Sequence, residues 1–262
     1  NGTDAIYISL KALGVGPGDE VITVANSWIS TSETISQTGA TPIFVDIDPD
    51  TFTINPSLIE EKITINTKAI IPVHLFGHPC DMSTIMDISK KHNLYVIEDC
   101  AQSHLAEFQE QKVSTFGIAG TYSFFPGKNL GAFGDAGAIV SNDDSFSEKA
   151  RMIANHGALV KHQHKIEGVN SRLDGLQAAI LTVKLNYLEK WTQLRNQHAK
   201  EYTSQLTSAN IDGVTCPVIK ENCKHAFHLY VVRVKNRDQL MAYLKEKGIS
   251  AAIHYPTPLP LL

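Results

Sequence analysis

Two short segments place reactive side chains at the ends of apolar, strand-like runs. The first, Val96 to Gln102, contains Asp99, and the second, Ser123 to Leu130, offers the Ser123 hydroxyl and the Lys128 amine on a Pro-Gly turn. A lysine that can form an imine and a buried carboxylate that can keep a ring nitrogen protonated are the groups that pyridoxal phosphate (PLP) chemistry requires. The pairing of Asp99 with Lys128 therefore predicts a PLP site.

Each of these two residues also has an ordinary structural interpretation. Asp99 ends a strand pattern, where ligands bind in open α/β sheets, but the same aspartate could cap the next helix. Lys128 could be a solvated surface lysine, whose pKa of about 10.4 makes it a poor nucleophile. The apolar Phe124-Phe125 pair and the lack of other charges between Gly117 and Asp135 favour a partly buried amine with a lowered pKa, which permits imine formation.

Three weaker signals accompany this pair. Gly2-Thr3-Asp4 precedes a helical pattern, and the N–H groups of a helix start together with a threonine hydroxyl form a phosphate site; a simple Thr-Asp cap has the same pattern. Trp28, just before a helix, could stack on a planar cofactor or belong to the core. Gln102 could contact the same ligand as Asp99 or be an ordinary helix residue.

The composition excludes several classes of protein. The chain has 262 residues, 43% of them apolar, and a formal charge of −4 without a Lys/Arg-rich block, so it lacks the charge pattern of proteins that bind nucleic acid or anionic membranes. The four cysteines show no CxxC spacing, which favours a reduced, cytoplasmic location. His162 and His164 have no carboxylate or thiolate cluster beside them, so no metal site is expected. We expect the chain to be the middle of a longer protein.

Apolar runs alternate with helical patterns along the first part of the chain. This alternation predicts an α/β fold with a mostly parallel central sheet and helices on both faces. The predicted strands are Val21 to Ala25, Pro42 to Asp46, Lys68 to Val73, Tyr95 to Asp99, Thr121 to Phe125 and Ala138 to Ser141. The predicted helices are Asp4 to Leu13, Ile29 to Thr38, Pro56 to Ile63 and Met82 to His92.

A long helical pattern, Arg172 to about Leu206, connects this part to a second unit. We therefore predict a large PLP-binding domain over residues 1–208, lacking its N-terminal part, and the truncated start of a smaller C-terminal α/β domain over residues 209–262. Within the smaller unit we expect a strand at Phe227 to Val234, a helix at Arg237 to Lys247 and a further strand at Ile249 to His254.

A series of motifs in order carries a family resemblance over nearly all of the chain. The motifs are Asn-Gly-Thr-Asp-Ala at 1–5, Gly-Val-Gly-Pro-Gly-Asp-Glu-Val-Ile-Thr at 14–23, Phe-Val-Asp-Ile-Asp at 44–48, Ile-Pro-Val-His-Leu-Phe-Gly at 71–77, Ile-Glu-Asp-Cys-Ala-Gln at 97–102, Pro-Gly-Lys-Asn-Leu-Gly-Ala at 126–132, Asn-Ser-Arg-Leu-Asp at 170–174 and His-Tyr-Pro at 254–256. The chain thereby resembles the DegT/DnrJ/EryC1/StrS aminotransferases, PLP enzymes that aminate keto sugars attached to nucleotides. The resemblance implies PLP fold type I, the aspartate aminotransferase-like fold.

The resemblance also implies a role for each matched residue. Lys128 would bind PLP as a Schiff base, Asp99 would pair with the pyridine nitrogen, and Gln102 would lie near the ring hydroxyl. The remaining implied contacts are ring stacking by Trp28, phosphate contacts from Thr3, Asp4 and Ser123, a phosphate contact from Asn170 to the cofactor of the neighbouring subunit of a homodimer, and substrate contacts from His254 and Tyr255. The chain departs from the family at Leu105, where relatives often have glycine.

The implied reaction moves an amino group from glutamate, the usual donor in the family, to a keto-deoxysugar nucleotide. Aminated deoxysugars of this kind serve O-antigen, glycoprotein and antibiotic glycosylation. A related PLP-dependent sugar dehydratase would have histidine in place of Lys128. A catalytically silent regulatory member would be expected to lose Lys128 or Asp99, and this chain keeps both.

Overall fold

The computed structural model describes residues 1–262 and centres on a six-stranded sheet. The strands of the chain are β1 (Glu20–Val24), β2 (Thr41–Val45), β3 (Thr67–Ile71), β4 (Tyr95–Asp99), β5 (Glu107–Phe108), β6 (Gln111–Lys112), β7 (Ala119–Ser123), β8 (Gly137–Val140), β9 (Val214–Thr215), β10 (Cys223–Lys224) and β11 (Arg233–Val234). The α-helices are α1 (Gly2–Ala12), α2 (Ser30–Gln37), α3 (Met82–His92), α4 (Asp144–Ala154), α5 (Gly175–Ala209) and α6 (Arg237–Glu246).

The central sheet has the order β2-β1-β3-β4-β7-β8, and all its pairings are parallel except that of β7 with β8. Successive strand residues lie in different hydrophobic cores on the two faces of the sheet. Val21 packs in a cluster with residues of α1 and α2, whereas Ile22 packs in a cluster with residues of α3. Burial on both faces explains why these strands are continuous apolar runs rather than alternating ones. The predicted mostly parallel α/β fold is confirmed.

Three predictions made from the sequence are wrong in detail, and one helix was missed. Residues 56–63 form two 3₁₀ turns, Pro56–Leu58 and Glu60–Lys62, because this short segment buries only Ile59 and cannot offset the cost of starting an α-helix. The helix α4 was not predicted. In the later part, only Arg233–Val234 of the predicted 227–234 strand is in a ladder, and 249–254 is not a strand; apolar runs of this length do not by themselves distinguish strand from buried coil.

The elements after α5 are short. β11 pairs with β9, whereas β10 pairs with β5 from the first part of the chain. The division of the chain into domains at residue 208 stays a prediction. None of the helices has the length and apolar character needed to cross a bilayer.

A buried carboxylate in β4 organises the connection to β7. Glu98 is fully buried and accepts hydrogen bonds from the backbone N–H groups of Ser114, Phe116 and Gly117 at 2.8–3.0 Å. It also accepts a bond from His74 Nε2 at 3.1 Å, and this nitrogen carries the proton because His74 Nδ1 already accepts from a backbone N–H. These four donors compensate the buried carboxylate.

We expect Glu98→Ala to lower the free energy of unfolding by about 3–5 kcal/mol, because the substitution leaves several buried donors without an acceptor. Urea-induced unfolding followed by circular dichroism measures this loss. Glu107→Ala is the control, since Glu107 pairs with Lys112 and Lys224 near the surface and should contribute less than about 1 kcal/mol. Equal effects of the two substitutions would contradict the structural role of Glu98.

Candidate active site

The carboxyl ends of β1, β4 and β7 lie at one edge of the sheet, since these strands run in the same direction. Asp99 is the last residue of β4 and is 5% exposed. Its carboxylate accepts hydrogen bonds from Thr31 Oγ1 and from the Ala101 N–H, both at 3.1 Å. Burial raises the pKa of Asp99, although these two donors and the charge of Lys128 act in the opposite direction.

Lys128 follows the Pro126-Gly127 turn, which is closed by a 2.8 Å hydrogen bond from the Lys128 N–H to the Phe125 carbonyl. The side chain is half-buried, and burial lowers the pKa of its amine, while the negative charge of Asp99 raises it. The two groups thus act on each other electrostatically at the same edge of the sheet. This is not the environment of a solvated surface lysine, and a lowered pKa makes an amine more nucleophilic near neutrality.

Gln102 is buried and its amide has a defined orientation. Gln102 Oε1 accepts a hydrogen bond from the Phe76 N–H at 2.6 Å, so Nε2 faces the other way and donates to the Tyr255 hydroxyl at 2.9 Å. The ring of Tyr255 lies 6.0 Å from that of Trp28, which is 60% exposed and therefore not a core residue. The structure thus brings Gln102, Tyr255 and Trp28 together.

The N-terminus of α1 abuts the end of β7. Gly2 lies so close to Ser123 that a Cβ on Gly2 would be 2.7 Å from the Ser123 Cβ. Thr3 Oγ1 and Ser30 Oγ are hydrogen-bonded at 2.7 Å. Two hydroxyl-bearing segments therefore surround the first turn of an 11-residue helix, an arrangement that favours anions.

Asp4 has a different environment from Thr3 and Ser123. Its N–H is capped by the Asn1 side chain at 2.8 Å, so Asn1 rather than Thr3 or Asp4 is the N-cap of α1. The Asp4 carboxylate accepts a hydrogen bond from Ser171 Oγ at 2.7 Å. Asp4 therefore connects α1 to the segment that contains Asn170.

Asn170 and His254 lie at the margin of this arrangement. Asn170 is exposed, accepts a hydrogen bond from Arg172 Nε at 3.1 Å, and makes no side-chain hydrogen bond to the residues around Lys128. His254 is half-buried next to Tyr255. Within one chain, therefore, Asn170 is separate from the other predicted site residues.

Two histidines near Lys128, the buried His104 and the half-buried His228, were not among the predicted site residues. His104 packs against Tyr122 and Phe124, and neither of its ring nitrogens has a hydrogen-bond partner. Burial, followed by the charge of Lys128, lowers the pKa of both His104 and His228 to about 3, so both rings are neutral. His104 lies only five residues from Asp99, and this proximity could have marked it as a candidate site residue. Nothing in the local sequence connects His228 to Lys128.

Leu105, the departure from the family pattern, has a backbone φ of 63°. This is the left-handed region that glycine adopts without cost and other L-residues adopt at about 1 kcal/mol or more. Its side chain packs against a small core cluster that includes Leu130, Ala132 and Leu181. The turn that glycine would favour is therefore kept, and the side chain adds apolar contacts.

A mostly parallel α/β sheet with a lysine amine and a buried carboxylate at its carboxyl edge, and an anion-favouring helix N-terminus, is the arrangement that lysine-dependent PLP enzymes require. A model of the DegT/DnrJ/EryC1/StrS aminotransferase family matches residues 1–262. The chain belongs to this family.

Individual relatives are similar to this chain over all or nearly all of its length. A protein of Geobacillus stearothermophilus named "Pleiotropic regulatory protein" is 51% identical over 100% of this chain and 70% of its own length. A UDP-2-acetamido-2-deoxy-3-oxo-D-glucuronate aminotransferase of Pseudomonas aeruginosa is 46% identical over 99% of this chain and 71% of its own length. The crystal structure of Streptomyces venezuelae DesV in complex with a ketimine intermediate superposes with a TM-score of 0.97, at 41% identity over 100% of this chain and 70% of that one.

We expect the Lys128 amine to react with a trace of acetic anhydride at lower pH than an exposed lysine, because burial lowers its pKa and only the uncharged amine reacts. Competitive labelling at a series of pH values, with mass spectrometry of each peptide, measures the midpoint. Lys149 on α4, which is exposed, is the internal reference. A Lys128 midpoint at or above that of Lys149 would contradict the environment described here.

Proposed function

We propose that the protein is a PLP-dependent nucleotide-sugar aminotransferase that moves an amino group from glutamate to a keto-deoxysugar nucleotide. The observation that carries this proposal is the buried Asp99 carboxylate beside the Lys128 amine. Membership of the aminotransferase family supports it, as do the names of relatives that act on UDP- and dTDP-linked sugars.

The chemistry of the donor set fits PLP. Asp99 is buried like its neighbour Glu98, yet it receives two hydrogen bonds where Glu98 receives four. A protonated ring nitrogen at Asp99 would compensate this carboxylate. The hydroxyl groups around the start of α1 would hold the phosphate, and Trp28 would cover the ring.

When bound, PLP withdraws electrons from the carbon atom at which the amino group is exchanged. Asp99 keeps the proton on the ring nitrogen, because its buried carboxylate stabilises a cation there. The Gln102 amide, oriented by the Phe76 N–H, places its Nε2 donor toward Tyr255 and would lie near the ring hydroxyl. Lys128, once its amine is free, moves a proton to and from the reacting carbon as the general acid/base.

We also propose that the enzyme is a cytoplasmic homodimer in which Asn170 contacts the phosphate at the partner's site. The helix α5 supports this proposal because it leaves several large apolar side chains exposed, as a subunit interface would require; these are Leu176, Val183, Leu185 and Tyr187. The four cysteines are unpaired, in keeping with a reducing compartment. His254 and Tyr255 are proposed to face the substrate.

The first test is the near-ultraviolet and visible spectrum of the purified protein with PLP, before and after glutamate. A yellow band that glutamate bleaches, and that a keto-sugar nucleotide restores, is the expected result. A band that persists would keep PLP and remove glutamate as donor. The absence of a band after adding PLP would favour a silent regulatory member of the family, in line with the name of the Geobacillus relative.

We expect Lys128→Ala to fold normally and to lose amino transfer by about 10³-fold or more, because no other residue can replace both its covalent and its proton-transfer role. The measurement is product formation with glutamate and a keto-sugar nucleotide. Lys149→Ala on the exposed face of α4 is the matched control and should keep full activity. An active Lys128→Ala variant would refute the assignment.

If Asn170 acts across a dimer, co-expression of Lys128→Ala with Asn170→Ala should restore activity. Each single variant is expected to be weakly active or inactive, whereas a hybrid dimer contains one intact site. Random pairing then yields about one quarter of the wild-type activity, since about half of the dimers are hybrids. Activity no higher than the mean of the two single variants would show that Asn170 does not act in the partner's site.

A further inference from the structure

A short segment, residues 225–229, lies between the Leu75–Gly77 turn and the turn that carries Lys128, and we call it the clamp segment. Its residues 225–227 are buried, and residues 228 and 229 are half-buried. Its Ala226 is fully buried, and both its backbone N–H and its carbonyl make hydrogen bonds. The Ala226 N–H donates to the Gly77 carbonyl at 2.9 Å, next to the Phe76 N–H that orients Gln102. The Ala226 carbonyl accepts from Asn129 Nδ2 at 3.1 Å, next to Lys128. One residue thus connects the Leu75–Gly77 turn, whose Phe76 N–H orients Gln102, to the Lys128 turn.

Asn129 makes a second bond to the clamp segment. Because its Nδ2 donates to Ala226, its Oδ1 is the atom that faces His228, at 3.0 Å from Nδ1. An amide oxygen only accepts hydrogen bonds, so Nδ1 of this neutral ring carries the proton and donates. Asn129 is therefore held by two specific bonds, and both partners are uncharged.

Asn129 is also the buried anchor of an otherwise exposed turn. It is 5% exposed, whereas Phe125, Pro126 and Gly127 are all exposed. The side chain of Lys128 starts one residue before this anchor. The position of the amine relative to Asp99 therefore depends on how firmly Asn129 is held.

We propose that Asn129 and His228 are positioning residues, whose paired hydrogen bonds to each other and to the clamp segment hold the Lys128 amine in its half-buried place beside Asp99. The importance of this role for amino transfer rests on the proposed function; the role itself concerns the protein without cofactor. If the pair is broken, the turn loosens and water reaches the amine. The pKa of Lys128 then rises toward its ordinary value, since desolvation is what lowers it.

The test is competitive acetic anhydride labelling of Lys128 in the cofactor-free protein, in His228→Leu and His228→Asn. Leucine cannot donate to Asn129, whereas the asparagine amide nitrogen occupies the place of Nδ1 and can. Neither variant changes a charge, because His228 is neutral. We expect the labelling midpoint of Lys128 to rise by about 0.5 pH unit or more in His228→Leu, which lowers the uncharged fraction near neutrality about threefold. His228→Asn should stay near the wild type.

The matched control is Asn196→Ala. Asn196 on α5 donates to the carbonyl of His225, in the same segment, at 2.9 Å, but it does not contact the Lys128 turn. We expect this variant to lose some thermal stability and to keep the wild-type midpoint of Lys128. A merely structural role for His228 would instead give the same midpoint in all three variants, and that result would overturn the proposal.

A substitute variant and a separate test of PLP binding cover the two ways in which this experiment could fail to decide. If His228→Leu does not fold, as judged by circular dichroism, Asn129→Ala removes both bonds and takes its place in the comparison; an unchanged midpoint there also overturns the proposal. The proposed function fails separately, if borohydride reduction of the wild type with PLP leaves Lys128 unmodified. The labelling experiment contains no PLP, so its outcome is independent of that failure.

Discussion

Two adjacent carboxylates, Glu98 and Asp99, are buried at the end of the central strand β4. The rest of the site depends on which groups compensate the negative charge of each carboxylate. Adjacent strand residues point to opposite faces of a sheet, so the two carboxylates have different surroundings. Glu98 receives four hydrogen bonds and anchors the connection to β7. Asp99 receives two and keeps a raised pKa. A buried carboxylate with spare acceptor capacity is suited to a cationic ligand group.

The surroundings of Lys128 complement those of Asp99. Burial keeps the nearby rings of His104 and His228 neutral, so they neither repel nor stabilise a charge on Lys128. Burial also lowers the pKa of the Lys128 amine, which favours its uncharged, nucleophilic form. The start of α1 supplies the helix dipole and hydroxyl groups, which favour an anion. The proposed PLP site would use these three features as the partner of the ring nitrogen, the reactive amine and the phosphate-binding element.

The site residues lie partly on rigid elements and partly on turns. Asp99 and Ser123 end strands, and the first turn of α1 meets Ser123 directly. Lys128 and Gln102, by contrast, lie in turns that have little regular structure of their own. Their positions depend on side-chain hydrogen bonds to backbone groups, and the clamp segment connects the Lys128 turn to the Leu75–Gly77 turn that orients Gln102. Irregular backbone in a protein core requires such partners, since its polar groups have no ladder to bond with.

The sequence by itself determined the strands of the central sheet, and β4 has the predicted bounds, because apolar runs covered on both faces are a local pattern. It also pointed to Asp99 and Lys128, since each ends such a run and the motif series around them is specific to one family. Tertiary structure alone decided that residues 227–232 are coil, although a strand was predicted over Phe227 to Val234. It also paired Gln102 with Tyr255, 153 positions apart, and Asn129 with His228, 99 positions apart. The physical reason is that a hydrogen bond between distant segments depends on where the whole chain places them, and the spacing of residues within either segment carries no information about that.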